Sequence, residues 1–365
     1  MSRPVFTVVF LSIFYLAKVS INDLGTANGL NDVIAKNLQL EPIHFTSVRQ
    51  LDSLLTMLVR FFQPIVTGAD LPLTLFSIFM AGQLLAVHML IVVEGLRFGN
   101  RGKIISYTTA WGMLWQLITF GVTLPLYFLT WIWTSGIPDS TTPDAHAEAI
   151  SIDPTQGETI LPAWSLGVLP PSIAAGLPSP SLISQHAQEV ALALWQAFPL
   201  WTGLCQAVLP LVTKAPNPTL EKPATKIARF RKIYTSTLAL AALLHYAVVG
   251  YVFLRAESAA GIAPTDFLLQ ILRPTWPWDT RPMASVEKGI LTLLQWDMYC
   301  ATLATWSWIA YMAYARAGVG SVVVDLGKAV MWSCVVGPGG AALAVVWGRD
   351  VEALRAAEGK RVEKK

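Results

Sequence analysis

The stretch 294-LQWDMYCATLATWSWIAY-311 is an eighteen-residue apolar and aromatic run with one formal charge, Asp297. A helix needs about 20 predominantly apolar residues to cross the hydrocarbon of a bilayer. The run therefore reads as the heart of a membrane span, Gly289–Ala313, and it raises the question of what a carboxyl group does there. The rest of the chain supports that reading: 54% of residues are hydrophobic, 13% are charged, 14 are Trp, and the mean hydropathy is +0.51. Soluble domains do not have this balance. A net charge of +3, spread over scattered Lys and Arg, sets nucleic-acid binding aside. The expected partners are the lipid bilayer and a lipophilic small molecule. Cys205, Cys300 and Cys334 all lie in apolar stretches and read as small packing residues.

Working outward, apolar stretches fall at Pro4–Lys18, Leu51–Thr67, Leu71–Val93, Ile104–Trp133, Val190–Val212, Tyr234–Phe253, Gly289–Ala313 and Ser321–Trp347. The expected fold is all-α, a polytopic transmembrane helix bundle of about 7–9 spans. It forms one domain over residues 1–348, with a Pro-rich loop at 134–189 and a polar charged tail at 349–365. Lys18 stands where a signal peptidase needs small residues, so the first stretch reads as a retained anchor. Leu51–Thr67 is short and carries Arg60, which favours a tilted or partly interfacial helix.

Basic residues give the orientation. No Lys or Arg occurs between Ile104 and Thr213, while Arg97, Arg101 and Lys103 precede that interval and Lys214, Lys222, Lys226, Arg229, Arg231 and Lys232 follow it. The positive-inside rule makes both flanks cytosolic and the loop at 134–189 lumenal. Within the loop, LPAWSLGVLPPSIAAGLPSP (161–180) is apolar but broken by prolines, which suggests a re-entrant or interfacial piece. The tail carries Arg349, Arg355, Lys360, Arg361, Lys364 and Lys365. It ends in the cytosol if AGIAPTDFLLQILRP (260–274) makes an extra weak crossing, which is the preferred topology. Asp297 and Glu94 then approach the same cytosolic boundary and line one pocket.

Ionisable groups inside hydrocarbon cost about 2.5–3.5 kcal/mol each on insertion scales and usually face a cavity or a partner. Asp52, Glu94, Asp297 and Asp325 are the acids within or at the ends of these spans. Helical spacing gives three sparse polar stripes: Gln83 with Glu94; Asp52 with Thr56 and Gln63; and Asp297 with Cys300, Ala304 and Trp308, flanked by Trp296 and Tyr299. Each acid also has a plain structural reading. Asp325 has Lys328 one turn on, Asp52 starts a helix near Arg49, Glu94 sits beside Arg97 and Arg101, and Asp297 suits an interhelical hydrogen bond. No span holds a one-turn acid pair for a magnesium diphosphate site, and no phosphate loop or H-E-x-x-H helix occurs. No metal or cofactor is expected. What suits isolated membrane acids is proton transfer to an apolar substrate. Burial disfavours their charged form, and aromatic faces attract the resulting carbocation.

LDSLLTMLVRFFQPIVTG (51–68), VVEGLRFGNRGK (92–103) and QWDMYCATLATWSW (295–308), in this order and spacing, resemble the larger integral-membrane terpene cyclases of fungal meroterpenoid pathways, the ascochlorin, ascofuranone and macrophorin type. The resemblance implies an endoplasmic-reticulum enzyme that cyclises a farnesylated phenolic or polyketide precursor by metal-free protonation of a terminal alkene or epoxide, in company with other membrane enzymes of its pathway. Smaller, pyripyropene-type cyclases use one Glu and one Asp. By that analogy Glu94 and Asp297 are the expected catalytic acids; the polar stripes, their aromatic neighbours and the end of the span at Val93 make Asp52, Gln83, Arg97, Asn100, Trp296, Tyr299 and Trp308 the expected substrate contacts. The alternative is a receptor, transporter or scaffold without chemistry of its own.

Overall fold

The structure, a computed structural model, describes residues 2–214 and 221–363. Most of the Lys214–Pro223 loop, and the tail lysines Lys364 and Lys365, lie outside them. Among the described residues the fold is all-helical, with one isolated bridge between Arg97 and Ile152. In chain order the helices are α1 (Ser2–Ala17), extended by a π-helical turn over Lys18–Asp23, α2 (Leu24–Ala27), α3 (Leu30–Gln39), α4 (Arg49–Thr67), α5 (Leu71–Leu96), α6 (Thr108–Ile118), α7 (Phe120–Thr134), α8 (Pro143–Ala149), α9 (Pro154–Ala175), α10 (Gln185–Trp195), α11 (Phe198–Val212), α12 (Pro223–Ala260), α13 (Pro264–Leu272) and α14 (Val286–Glu363). Their starts follow local chemistry. Asp70 accepts the Leu73 amide ahead of α5, and Asp153 accepts the Thr155 and Gln156 amides ahead of α9. Each helix has a proline in its first turn, where a missing N–H costs nothing.

Four helical segments are long and apolar enough to cross a membrane, Arg3–Ala27, Leu71–Leu96, Pro223–Arg255 and Val286–Glu358; the bent pair α10 and α11, at 62°, makes a fifth. Fewer segments than the seven to nine expected are thus long and apolar enough by themselves, for three physical reasons. First, α4 has polar residues all along one side, and its Arg60 donates to the Asn37 carbonyl. It lies as an amphipathic helix. Second, the stretch read as a single span, Ile104–Trp133, breaks at Thr119, whose φ of 75° is left-handed. α6 and α7 then fold back as an antiparallel hairpin: Trp115 stacks on Phe120 at 4.3 Å, and Trp111 meets Tyr127 edge-on at 5.3 Å. Third, the stretch Ser321–Trp347 breaks at Gly337, with φ 75° and ψ 172°. A Cβ at Gly337 would stand 2.4 Å from the Gln83 side chain, so only glycine turns the chain there. A second break at Ala317 and Gly318 divides α14 into three arms, residues 286–316, 319–336 and 338–363.

The contacts fix the directions of these pieces. Phe6 against Tyr311 and Ser20 against Cys300 set α1 antiparallel to the first arm of α14. Trp306 donates to the Pro338 carbonyl and Arg316 pairs with Glu352, so the first and third arms run parallel. Gly82 packs on Ala241, and Arg97 reaches Tyr234, so α12 runs antiparallel to α5. One end of the bundle therefore gathers Arg3, Arg97, Arg101, Lys103, Arg229 and Arg349. The Arg3–Asp139 pair, the Gly136–Gly99 and Phe98–Ser151 backbone bonds, and the Lys226–Ser151 bond tie it together.

Two topological expectations change as a result. The hairpin returns the chain to the basic end, so residues 135–152 pack there instead of crossing to the other side. From there α9 runs inward as a continuous helix despite Pro162, Pro170 and Pro171, and α11 returns antiparallel to it, with Gln206 on Gln156. The segment at 260–274 makes no crossing. α13 has 9 residues and buries Phe267 and Ile271 beside Phe76 and Leu294 at the end opposite the basic one. The tail still ends at the basic end, because Gly337 reverses the last arm. Arg349 and Asp350, expected in a polar tail, are buried in the bundle at 9% and 0% exposure.

Candidate functional site

Glu94 stands in the last turn of α5. The next residues abandon helical geometry, with Arg97 at φ −64° and ψ 143°, which turns the Arg97 and Asn100 side chains back beneath the helix end. The third arm of α14 brings Arg349 and Asp350 to the same place, α12 brings Tyr234 and α7 brings Trp131. Two carboxylates, two guanidiniums and their partners thus form one buried centre.

Its hydrogen bonds are nearly complete. Glu94 Oε1 accepts from Arg97 Nε at 2.8 Å and Arg349 Nη2 at 3.1 Å. Glu94 Oε2 accepts two longer bonds from neutral donors, Asn100 Nδ2 at 3.3 Å and Trp131 Nε1 at 3.3 Å. Asp350 Oδ2 accepts from Arg97 Nη2 at 2.6 Å and Tyr234 OH at 2.8 Å, and its Oδ1 from Arg349 Nε at 3.0 Å and Nη2 at 2.8 Å. Arg97 Nη1 donates to the Ile150 carbonyl at 2.7 Å, and Ser135 donates to Asn100 Oδ1 at 2.6 Å. The formal charges cancel. That matters because an unpaired ion costs several kcal/mol in such surroundings, and attraction offsets this only with close geometry and satisfied lone pairs.

Aromatic rings wall the centre. Arg349 lies 5.8 Å over the Trp308 ring and Arg97 5.5 Å over Phe230. Trp308 stacks on Phe128 at 5.0 Å and meets Trp131 edge-on at 5.3 Å. Such faces attract cations at close range. Outside the spans, His146 on α8 lies beside this end. Burial, followed by the Arg349 guanidinium, holds its imidazole below the ordinary histidine value.

The structure brings together Glu94, Arg97, Asn100 and Trp308 of the residues expected from the sequence. Asp297 is elsewhere. It lies eleven residues before Trp308, roughly 16 Å along the helix, so Glu94 and Asp297 do not line one pocket. Asp297 is 5% exposed and accepts the Gly121 amide at 2.5 Å, with the Phe120 amide and Thr119 hydroxyl facing it too. It caps α7 across the bundle, at the tip of the hairpin. Gln83 has the corresponding role for the last arm of α14: its Oε1 accepts the Gly339 and Gly340 amides at 3.0 and 3.3 Å. Asp52 accepts from Phe45 and Thr46 and holds the loop before α4. Trp296 and Tyr299 donate to the Thr275 and Leu272 carbonyls and fasten the chain after α13. Asp325 pairs with Arg316 at 2.9 Å and more weakly with Lys328 at 3.5 Å.

Sequence reasoning missed Arg349, Asp350, Tyr234 and Trp131. A signal existed: opposite charges stand side by side directly after the apolar run 341-AALAVVWG-348. By position along the chain they read only as the start of a tail.

The sequence profile of the CtvD domain matches residues 6–354, which takes in the whole centre. The chain belongs to the CtvD family. Among its relatives, the terpene cyclase ascI of Acremonium egyptiacum is 30% identical over 320 residues, 84% of this CtvD-family chain and 79% of that one. The terpene cyclase atmA of Aspergillus flavus is 23% identical over 360 residues, 94% and 95% of the two chains. The terpene cyclase ctvD of Aspergillus terreus is 26% identical over 306 residues, 81% and 82%. These matches bear out the resemblance to fungal terpene cyclases. No solved structure matches this CtvD-family chain.

Proposed function

We propose that this chain is an integral-membrane terpene cyclase that protonates the terminal alkene or epoxide of a farnesylated phenolic or polyketide precursor and guides the carbocation to ring closure. The observation that carries the reading is the convergence of Glu94 and Asp350, 256 residues apart in sequence, in a buried, aromatic-walled centre bridged by Arg97 and Arg349. The names of the relatives support it. α9 and the three arms of α14, added to the apolar segments, bring the crossings to about eight. The basic end faces the cytosol by the positive-inside rule, in the endoplasmic-reticulum membrane.

Glu94 is the acid in this proposal. Its Oε2 is held only by two long bonds from neutral groups on the Trp131 side, so that oxygen is the one that passes a proton to the substrate; the centre is neutral with Glu94 ionised, and a proton added there gives it one net positive charge, which favours transfer outward. Asp350, whose oxygens all face close donors, stays ionised and holds the two arginines. Proton transfer from Glu94 to an alkene carbon forms a C–H bond and leaves a carbocation; transfer to an epoxide oxygen breaks a C–O bond and leaves a cation and a hydroxyl. The two guanidiniums stabilise the Glu94 carboxylate left behind, which favours transfer outward. Ring closure moves the cation along the chain over Trp131 and Trp308, and loss of a proton ends the reaction with the mass unchanged. No metal or cofactor enters these steps. Asp297 is a positioning residue, holding the hairpin whose α7 supplies Trp131.

Microsomes containing the protein are incubated with farnesylated phenols and their epoxides, and cyclised isomers of unchanged mass are sought. The parent forms them, Glu94→Gln forms none, and Asp297→Asn retains measurable turnover because an amide oxygen still accepts the Gly121 amide. Full activity of Glu94→Gln, inserted at the parent level, sinks the assignment. A second reading, a transporter, draws support from the helices broken at Thr119 and Gly337, since broken helices border transporter sites. Substrate movement across vesicles without isomer formation would select it.

A further inference from the structure

On another face of α5 the structure holds a cavity of about 240 Å³. His88 of α5, Thr109 of α6, Gln156 of α9, and Thr202, Gly203 and Gln206 of α11 line it. Glu94 follows His88 by six residues, roughly 240° round the helix, so this cavity is separate from the ionic centre. Gly203 lets α6 and α11 close: a Cβ there would stand 2.1 Å from Thr109 Oγ1.

The lining sets these polar groups among apolar Val92, Leu96, Pro199 and Ala207 and carries no carboxylate, lysine or arginine, so it suits a neutral group. Its polar atoms are incompletely paired. Gln206 Nε2 donates to the Gln156 carbonyl, Gln156 Oε1 and Thr159 Oγ1 at 3.1, 2.8 and 3.0 Å, while Gln206 Oε1 is buried without a partner. Thr202 is 3% exposed, and its hydroxyl is also buried without a partner. His88 Nδ1 accepts the Trp164 indole N–H at 3.2 Å, which leaves the imidazole proton on Nε2 as a donor. The cavity thus offers an acceptor, a hydroxyl and an N–H, and buried groups of this kind are costly unless paired. At about 240 Å³ it is smaller than the roughly 300–1,000 Å³ that takes a whole drug-sized ligand.

We propose that this cavity binds the neutral, hydroxyl-bearing head of a lipophilic molecule. The ligand O–H donates to Gln206 Oε1, the ligand oxygen accepts from Thr202, and the apolar tail stays in the bilayer. The same chemistry is offered by a phenolic head group and by the hydroxyl of a bilayer sterol. The assignment stands independently of the cyclase reading.

The test uses the full chain in phosphatidylcholine nanodiscs, with tritiated 2-farnesylphenol as probe and its methyl ether as competitor. The phenol binds about tenfold more tightly than the ether, since the ether leaves Gln206 Oε1 unpaired. In Thr202→Val and in Gln206→Leu the ratio falls to within about twofold. Equal affinity of phenol and ether for the parent overturns the proposal, as does a ratio that survives in both variants. The parent comparison needs no substitution, so it stands even if a variant misfolds. Displacement of the probe by ergosterol, lost in the same variants, assigns the site to a bilayer hydroxyl; no displacement assigns it to the phenol. A Glu94→Gln protein that has lost cyclisation keeps this binding.

Discussion

Replacing Asp350 by asparagine removes one of two negative charges from a centre that holds two guanidiniums. In Asp350→Asn, Arg97 and Arg349 face a single carboxylate, Glu94, and the short bonds to Asp350 Oδ1 and Oδ2, from 2.6 to 3.0 Å, lose their ionic character. Breaking a buried pair by removing one partner costs about 3–5 kcal/mol, mostly because a buried charge is left uncompensated. Removing Arg349 as well restores neutrality, so Arg349→Met with Asp350→Asn costs less than Asp350→Asn alone, although the single changes are both destabilising. That sign of coupling separates charge compensation from simple loss of contacts. The exposed Arg3–Asp139 pair, with Asp139 62% exposed, provides the control: Asp139→Asn costs about 0–1 kcal/mol. The assay is the midpoint of heat-induced loss of the monodisperse peak in detergent, read across the four members of the cycle. A double variant as unstable as the sum of the two single variants, or an Asp350→Asn protein no less stable than Asp139→Asn, refutes the reasoning.

Other consequences follow from the same geometry. Gly337→Ala forces a side chain into a left-handed backbone and against Gln83, and is expected to cost about 1–3 kcal/mol by the same thermal midpoint; an unchanged midpoint would show that the chain does not turn there. Asp297→Leu removes the acceptor at the hairpin tip and is expected to be markedly less stable than Asp297→Asn; equal midpoints would show that Asp297 does not hold α7. His146 is held below its ordinary value in the folded chain. The unfolded chain therefore binds more protons, and stability is lost as pH falls below about 6.5. The check is the difference in midpoint between pH 8 and pH 5.5, which shrinks in His146→Gln.

Much of the fold was legible because lipid imposes a simple rule: backbone polar groups must be paired within the chain, so long apolar runs become helices. The runs around Leu71–Val93, Tyr234–Phe253 and Gly289–Ala313 behave that way. Glu94, Arg97, Asn100 and Trp308, which the structure brings together, stand out in the sequence because charges and indoles at membrane depth are few. The interhelical hydrogen bond that an apolar run suggests for Asp297 is present, since it accepts the Gly121 amide. Its work as a cap across the bundle was hidden, because it serves a helix 176 residues away.

The sequence by itself determined that the chain is helical and apolar enough to live in a bilayer, and which kinds of side chain must be sheltered within it; these depend on composition and on spacing along one helix. Only the tertiary structure decided where helices turn back and which charges meet. Thr119 and Gly337 break runs whose hydropathy is uninterrupted, and each break is completed by a side chain from a distant helix. The meeting of Glu94 with Asp350 depends on the breaks at Ala317–Gly318 and Gly337, since a straight final helix would have carried Arg349 and Asp350 away from Glu94, and the Thr119 reversal returns Trp131 to the same end.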